Sequence, residues 1–342
     1  MSIDKSLLAD STETGTLAVM HLKRYWDKAQ LRKSGTLKED ILAEEWNIDN
    51  TMLAALGLGL EQTIKQLFSH TGDFSSFEEW VLSVNNGKLE QQKIDEFNSY
   101  IQNRNATDKK GNKDSGILTA KELDFWDEHG YIIVKNAVSK EDCEAAINAI
   151  CNHINITRDD RSTWYLPNPN RQGIMVQLFQ HPALEKNRRS QKIRAAYEQL
   201  WQRKDVWVNT DRAGFNPPET AEWNFPGPYL HFDVSIALPV PFGTAGILYL
   251  ADTASNQGAF TLVPGFQNRI EGWLNSLDPE TNPRTEDLYA LGAIPIEANV
   301  GDFIIWHQAL PHGSSINTSI LPRFVQYINY APLDAEVNPI WK

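Results

Sequence analysis

The feature that most constrains the fold is a series of short apolar segments in the second half of the chain, separated by turns rich in proline and glycine. The segments lie at residues 206–210, 229–238, 246–251, 259–263, 302–306 and 323–330. Such short segments bounded by turn residues are typical of strands rather than helices. Many short strands at this spacing predict a β-sandwich or a jelly-roll barrel, with the preceding helices packed on its outside.

The chain before residue 116 has helical patterns instead. Apolar residues recur at helical spacing in residues 51–70. Ser75 and Glu78 have the spacing of a capping box, which would begin a helix at residues 77–84. A third helix is predicted at residues 89–101, where the apolar residues share one face. These patterns predict an N-terminal helical region.

A polar segment separates this region from the strands. Residues 105–116 contain two glycines and are the best candidate for a linker. Beyond it, Thr119 and Glu122 have the spacing of another capping box. The sequence therefore predicts an α+β chain with a mainly β core, divided into a helical region at residues 1–115 and a β domain at residues 116–342.

Composition and charge argue against several functions. The net charge is −12, whereas binding to a nucleic acid backbone needs clustered lysines and arginines. The longest apolar run, residues 52–60, is far shorter than the roughly 20 residues that span a bilayer. Cys143 and Cys151 are expected to be free thiols, and no signal-peptide pattern begins the sequence. We expect a cytoplasmic protein without nucleic acid or membrane partners, and its oligomeric state stays open.

A His-x-Asp motif, His231-Phe232-Asp233, lies within one of the predicted strands. Residues two apart on a strand point to the same face, so this histidine and carboxylate would project together into the barrel. They would supply two thirds of the facial triad that holds non-haem Fe(II) and leaves positions open for substrates and O₂. A chain with 8 histidines and 44 acidic residues contains about one such pair by chance, so the motif alone also fits a half-buried surface pair.

A second motif begins 81 residues later. His312 leaves a predicted strand in a turn rich in glycine and serine, and Arg323 opens the next strand. An iron enzyme that uses 2-oxoglutarate needs this combination, because a cation must bind the far carboxylate of the cosubstrate and arginine does so through a planar fork. The Ser314 hydroxyl would complete that contact. His307 is a rival metal ligand, although its place at the end of a strand favours a core role.

Together these motifs resemble the phytanoyl-CoA dioxygenase family of Fe(II)/2-oxoglutarate oxygenases. Four pieces occur in the family's order: an opening helix and strand at residues 125–134, the His-x-Asp pair, a Pro-Gly hairpin at residues 256–265, and a distal His-Gly-Ser stretch followed by Arg323. The chain departs from the family pattern at Asn216, where a lysine that contacts 2-oxoglutarate is common. It also departs at Gln267, where the hairpin pattern usually ends in histidine.

The resemblance implies a double-stranded β-helix, a cupin-like jelly roll flanked by helices. It also implies Fe(II) and 2-oxoglutarate as cofactor and cosubstrate, O₂ as the oxidant, and ascorbate as a useful reductant in vitro. The implied contacts are His231, Asp233 and His312 for iron, and Arg323, Ser314 and Tyr249 for 2-oxoglutarate.

Three further residues are candidate substrate contacts. Trp164 lies in an aromatic loop rich in proline and asparagine that would suit a lid. Trp223 approaches the strand that carries the His-x-Asp motif. Arg212 follows Asp211 at the end of a strand, where it forms a local ion pair or meets a charged group of the substrate. For the two tryptophans the alternative is ordinary core packing.

We therefore predict an Fe(II)- and 2-oxoglutarate-dependent dioxygenase that hydroxylates a small organic metabolite and releases succinate and CO₂. A carboxylate at Asp233 favours hydroxylation or another oxidation over halogenation, because halogenating relatives have a small residue in its place. The alternative is a non-redox, cupin-like protein that holds a metal or ligand in the same barrel. A dedicated cation at Arg323 would be superfluous there. The sequence leaves the substrate and the role of residues 1–115 open.

Overall fold

The structure is a computed structural model that describes residues 7–36, 44–103, 116–338 and 340–342. Of the predicted linker, all but Gly116 lies at residues 105–115, outside the described residues. Among the helices of the described ranges, none is both long enough and apolar enough to cross a membrane.

The described N-terminal part contains five α-helices. They are α1 (Leu22–Lys33), α2 (Trp46–Ala55), α3 (Leu60–Ser69), α4 (Phe74–Val84) and α5 (Gln91–Gln102). Met52, Val81 and Phe97 lie in a hydrophobic core that these helices enclose between them. Leu333, from the far end of the chain, is buried in the same core. The helices therefore pack against the C-terminal part through a shared apolar contact.

Residues 51–70 were expected to form one helix, and the structure contains two. The chain turns at Gly57, whose backbone has a φ of +64° that side chains with a Cβ rarely adopt. After this turn Gly59 begins α3, and the two helices present different faces to the core. Local apolar periodicity does not report such a turn, because the glycines lie within an otherwise apolar run.

The capping box predicted at Ser75 and Glu78 is wrong. Asp73 caps α4 instead, and its carboxylate accepts the backbone N–H of Ser76. The buried Glu78 carboxylate accepts the backbone N–H and the hydroxyl of Thr16 at 3.0 and 2.8 Å. A tertiary contact with a preceding loop thus replaces the local one, since it satisfies donors that the helix itself does not reach.

The described residues of the C-terminal part form five α-helices and twelve short strands. The helices are α6 (Ala120–His129), α7 (Lys140–His153), α8 (Pro182–Arg188), α9 (Gln191–Trp201) and α10 (Ile270–Ser276). The strands are β1 (Tyr131–Val134), β2 (Arg171–Gln172), β3 (Met175–Val176), β4 (Val206–Val208), β5 (Ala213–Asn216), β6 (Thr244–Tyr249), β7 (Phe260–Leu262), β8 (Ile294–Ile296), β9 (Phe303–His307), β10 (His312–Ser314), β11 (Arg323–Tyr327) and β12 (Tyr330–Pro332).

Two antiparallel sheets build the barrel. The larger has the strand order β1-β9-β6-β11-β5-β3-β2 and the smaller has the order β10-β7-β8, while β4 pairs with β12 outside both. Ile247 and Val325 of the large sheet pack with Leu262 of the small sheet in one core between them. Leu248 and Phe324 face the opposite side, where helices α6, α7 and α9 cover the large sheet. The predicted α+β fold with helices outside a double-stranded β-helix is confirmed.

Local signals before the barrel behave as predicted. Thr119 and Glu122 form a complete capping box at the start of α6, and Gly130 ends that helix with a φ of +74°.

The strand expected at residues 229–238 is wrong. This segment contains a single bridge between His231 and His312 and is otherwise irregular.

Candidate active site

Two histidines and one carboxylate meet at one end of the barrel, between β10 and the irregular segment that precedes β6. Nε2 of His231 lies 3.1 Å from Oδ1 of Asp233, and Nε2 of His312 lies 3.1 Å from Oδ2 of the same carboxylate. All three possible ligand atoms lie within 4.8 Å of one another. The structure therefore brings together the three residues that the sequence proposes as metal ligands.

Backbone carbonyls fix both imidazole rings. Nδ1 of His231 donates to the Tyr229 carbonyl at 2.6 Å, and Nδ1 of His312 donates to the Leu310 carbonyl at 2.9 Å. A histidine that donates through Nδ1 presents Nε2 as the ligand atom, and such partners orient metal-binding histidines. The backbones of the two histidines also exchange both hydrogen bonds of an antiparallel bridge, at 2.9 and 3.1 Å. The pair is held before any metal binds.

Arg284 holds the segment that carries Asp233. Its guanidinium donates to the carbonyls of Phe232 and Val234, on either side of Asp233, at 2.7 and 2.6 Å. It also donates to the Lys342 carbonyl at 2.9 Å and stacks on the Trp341 ring. An arginine can thus replace the strand ladder that this segment lacks. No sequence pattern indicated Arg284, because it lies about 50 residues from the segment that it holds.

The electrostatics of the triad favour an ionised carboxylate. Burial opposes ionisation of Asp233, but the hydrogen bonds from His231 and His312 outweigh it and keep the pKa of the carboxyl well below its ordinary value. For His231, burial lowers the pKa and the bond to Asp233 raises it, with a net increase. Among the described residues, no lysine or arginine nitrogen lies within 4 Å of the Asp233 carboxylate. The negative charge is therefore available to a cation that the chain does not supply.

Arg323 is a buried cation beside this site. Its side chain is fully buried at the start of β11, and Nη2 donates to the Ser314 hydroxyl at 2.8 Å. Within the described ranges, Nε and Nη1 have no hydrogen-bond partner and no carboxylate pairs with the guanidinium. A buried charge without a partner is costly, so this arrangement favours an anion in the site.

Tyr249 lies next to Arg323 and is fully buried. Its hydroxyl donates to the Ile296 carbonyl at 2.7 Å and accepts the Phe260 N–H at 2.8 Å. Burial raises the pKa of this hydroxyl to about 12, with nearby Arg323 acting in the opposite direction. Its hydrogen bonds tie β6 to β7 and β8, so a contact with 2-oxoglutarate stays a prediction.

A cavity of about 280 Å³ opens onto the triad. His231, Asp233, His312 and Ser314 line it together with Arg212. Two other predicted substrate contacts lie elsewhere among the described residues. The indole of Trp164 is buried and donates to the Thr157 carbonyl, and Trp223 packs on Tyr165. Their substrate role stays a prediction that this packing does not support.

Two residues that the sequence analysis singled out, the rival ligand His307 and the family departure Asn216, make structural contacts. His307 ends β9 and accepts the Ala309 N–H through Nδ1, and burial lowers its pKa to about 4. It does not join the triad. The side chain of Asn216, where the family commonly has lysine, donates to the Ser315 carbonyl at 3.1 Å and so braces the turn after β10.

Comparison with known proteins agrees with this geometry. A profile of the phytanoyl-CoA dioxygenase (PhyH) family matches residues 126–325. A putative phytanoyl-CoA dioxygenase of Dictyostelium discoideum is 23% identical over 264 residues, which cover 61% of this chain and 74% of that protein. The profile spans more than half of the chain, so the chain belongs to this family.

The solved structures that resemble this chain do so at low sequence identity. EctD from S. alaskensis with bound iron is 16% identical, with 66% of this chain and 80% of that chain covered at a TM-score of 0.48. GIG2 of Candida albicans is 15% identical, with 63% of this chain and 64% of that chain covered at a TM-score of 0.50. The family identifies this protein as an enzyme of the Fe(II)/2-oxoglutarate dioxygenase class.

Proposed function

We propose that this enzyme binds Fe(II) through His231, Asp233 and His312, binds 2-oxoglutarate through Arg323 and Ser314, and hydroxylates a small organic metabolite in the cytoplasm with release of succinate and CO₂. Two imidazole nitrogens and one carboxylate are the donor set of non-haem Fe(II) oxygenases. Both rings present Nε2 toward Asp233, and the described residues place no lysine or arginine nitrogen within 4 Å of that carboxylate. The residues present therefore fit the metal.

The observation that carries the proposal is the unpaired guanidinium of Arg323. A cupin-like binding protein could use the same triad for a metal, but it would have no use for a buried cation whose Nε and Nη1 lack partners in the part of the chain that the structure describes. A dicarboxylate satisfies both requirements, because one end can reach the metal and the other can accept from Arg323 and Ser314.

Each residue has a defined task in this scheme. Bound iron supplies the oxidising chemistry with O₂, and the protein supplies orientation and a site shielded from water. The Tyr229 and Leu310 carbonyls orient the two imidazoles. Asp233 fills a metal position with a carboxylate, which leaves no position there for halide and favours hydroxylation.

The direct test is formation of succinate from 2-oxoglutarate by the full chain, with Fe(II), O₂ and ascorbate. We expect succinate in the presence of iron and none after chelation. Without a primary substrate this turnover is slow, and a substrate screen that records stimulation of succinate release then finds the metabolite. Tight binding of Fe(II) without any succinate, under all substrates tried, would favour the cupin-like alternative.

A further inference from the structure

The cavity at the triad is small for what it must hold. Its volume is about 280 Å³, whereas cavities that enclose drug-sized ligands span about 300–1,000 Å³. On the proposed function this space takes the metal, 2-oxoglutarate and the reacting part of the substrate. A substrate larger than a few atoms must therefore extend beyond it.

A second cavity adjoins the first. It has a volume of about 350 Å³ and lies between helices α2 and α3 of the N-terminal region and strands β4 and β12. Asn209, Asp211, Arg212 and Asn329 line both cavities and form the junction between them. The N-terminal helices thus line a cavity that shares these four residues with the cavity at the triad.

The junction offers hydrogen-bond acceptors. Asp211 and Asn329 line both cavities, and the side-chain oxygen of Asn329 is buried without a hydrogen-bond partner among the described residues. Burial raises the pKa of the Asp211 carboxyl, while Arg212 and Arg188 act in the opposite direction. The carboxylate is partly exposed, and Nε of Arg212 lies 3.5 Å from it. A group that donates hydrogen bonds would satisfy both acceptors.

The junction does not suit an anion. Arg212 is the one basic side chain among the described residues that line the second cavity. Its Nη1 is paired with the Glu61 carboxylate of α3, and its Nε lies 3.5 Å from Asp211. Two carboxylates already match this single positive charge. A carboxylate or phosphate of a ligand would meet repulsion there.

The wall that α2, α3 and β4 contribute to the second cavity contains apolar side chains beside polar ones such as Asn50 and Thr51. Leu53 of α2, Leu60 and Ile64 of α3, and Trp207 of β4 line it. Leu60 and Ile64 are four apart and so share one face of the helix. This wall favours a hydrocarbon or aromatic arm, because each buried methylene adds free energy of transfer from water.

We propose that the two cavities bind one elongated primary substrate. It carries an amine, or a comparable hydrogen-bond donor, at the junction of Asp211 and Asn329, and an apolar arm against α2 and α3. Its other end lies at the triad, and this last point rests on the proposed function. The N-terminal helical region is thereby part of the substrate site rather than a separate interaction module.

Straight-chain primary amines from butylamine to octylamine are suitable probes, and octanoate is their anionic counterpart. Calorimetry of the full chain measures the binding of each. We expect affinity to rise with each methylene by up to about fourfold. Octanoate should bind at least tenfold more weakly than octylamine. Equal or tighter binding of octanoate would overturn the assignment of the junction.

Three variants test the placement. Ile64→Trp fills the apolar wall, and we expect it to remove the dependence of affinity on chain length. Phe68→Trp, on the same helix but outside the cavity lining, should behave as the native chain. Asn329→Asp adds a charge at the junction and should tighten octylamine binding several-fold, a gain that misfolding cannot produce. An unchanged chain-length dependence in Ile64→Trp, or no gain in Asn329→Asp, contradicts the proposal.

Failure of this inference and failure of the proposed function are distinguishable. Amine binding is measured without iron, 2-oxoglutarate or turnover. Succinate formation from 2-oxoglutarate alone is measured in the same preparations, and the control variant Phe68→Trp should leave it unchanged. Normal succinate formation without amine binding rejects only the substrate class, whereas amine binding without succinate formation rejects only the oxygenase chemistry.

Discussion

Two clusters in this molecule bring histidine and carboxylates together, and they differ in where the positive charge comes from. In the barrel, His231, Asp233 and His312 face a cavity. In the N-terminal helices, His21 and Asp49 approach to 2.9 Å beside Glu45. Both sets place three possible ligand atoms within 4.8 Å of one another. Residue type and proximity alone therefore do not distinguish a metal site from a structural cluster.

The charges around each cluster do distinguish them. Lys28 inserts its ammonium between the N-terminal carboxylates, at 2.6 Å from Oδ2 of Asp49 and 2.8 Å from Glu45. Arg24 forms a bidentate pair with Glu45. The N-terminal cluster is thus neutralised by the chain and shielded from solvent, with Lys28 only 2% exposed. The barrel cluster has no such partner among the described residues, so a metal can take that place.

The largest expected effect is loss of catalysis when the barrel cluster is changed. We expect His231→Ala, Asp233→Ala and His312→Ala each to abolish iron-dependent succinate formation, because each removes a proposed ligand of the metal. His21→Ala, in the other cluster, should retain it in the folded protein. If His312→Ala stayed active while His307→Ala lost activity, the assignment of the third ligand would be wrong.

The next largest expected effect is a loss of folding stability when the N-terminal cluster is changed. Lys28→Met leaves Glu45 and Asp49 without their shared ammonium, and breaking a buried pair in this way costs about 3–5 kcal/mol. Denaturant unfolding should show this loss in the free energy of unfolding. Fe(II) should not restore it. Restoration by the metal would show that this cluster is a second metal site.

Arg323 provides a buried cation that lacks the carboxylates that Lys28 has. Arg323→Leu removes one partner of a buried charge pair, which costs about 2–5 kcal/mol or roughly 30- to 5,000-fold in affinity. We expect at least a tenfold higher KM for 2-oxoglutarate in succinate assays. Arg323→Lys should recover part of the affinity for 2-oxoglutarate that Arg323→Leu loses. Ser314→Ala should cost less, about 1–3 kcal/mol. Co(II) binding at the triad should survive all three changes, and an unchanged KM in Arg323→Leu would reject the clamp.

A smaller effect depends on pH. Burial opposes ionisation of Glu45, but Arg24, Lys28 and His21 outweigh it and lower the pKa of the carboxyl from 4.5 to about 2. A depressed pKa in the folded state contributes stability that is present above pH 4.5 and is lost as the pH falls toward 2. The ionised Glu45 thereby contributes about 2–3 kcal/mol to the free energy of unfolding above this window. Unfolding measured across this window should show a shallower loss in Glu45→Gln than in the native chain.

The smallest effect concerns the segment that carries Asp233. Arg284→Met removes the donors to the carbonyls of Phe232 and Val234, and lost hydrogen bonds of this kind cost about 1 kcal/mol each. We expect roughly tenfold weaker Co(II) binding, measured by calorimetry. Arg269→Met is the matched control, because Arg269 also stacks on an aromatic ring but donates to the distant Leu291 carbonyl. Equal affinity in both variants would show that Arg284 does not position the ligand segment.

Much of the site was predictable because its chemistry is local in the sequence. His231 and Asp233 are two residues apart, and Ser314 follows His312 by two, so spacing reports which groups can meet. The same-face argument for His231 and Asp233 gave the right pairing although the expected strand is absent. The bridge to His312 and the bonds from Arg284 place the two side chains together without a regular ladder.

What sequence reasoning missed consists of contacts between distant residues. Arg212 lies 3.5 Å from Asp211, as the predicted local ion pair requires, but its Nη1 also pairs with Glu61, 151 residues earlier, which no local pattern indicates. The capping role assigned to Glu78 failed for the same reason, because Thr16 offered a better donor set. Periodicity measures which face of an element is apolar, and it carries no information about which other element covers that face.

The sequence by itself determined the class of fold and the family, and it supplied the candidate reactive groups, because strand and turn patterns and short motifs depend on neighbouring residues. Only the tertiary structure decided that His21, Glu45 and Asp49 are neutralised by Lys28 while the barrel triad is open. It also decided that α2 and α3 form a wall beside the active site. Both outcomes depend on which charged and apolar surfaces meet across the molecule, and that choice is made by packing the whole chain at once.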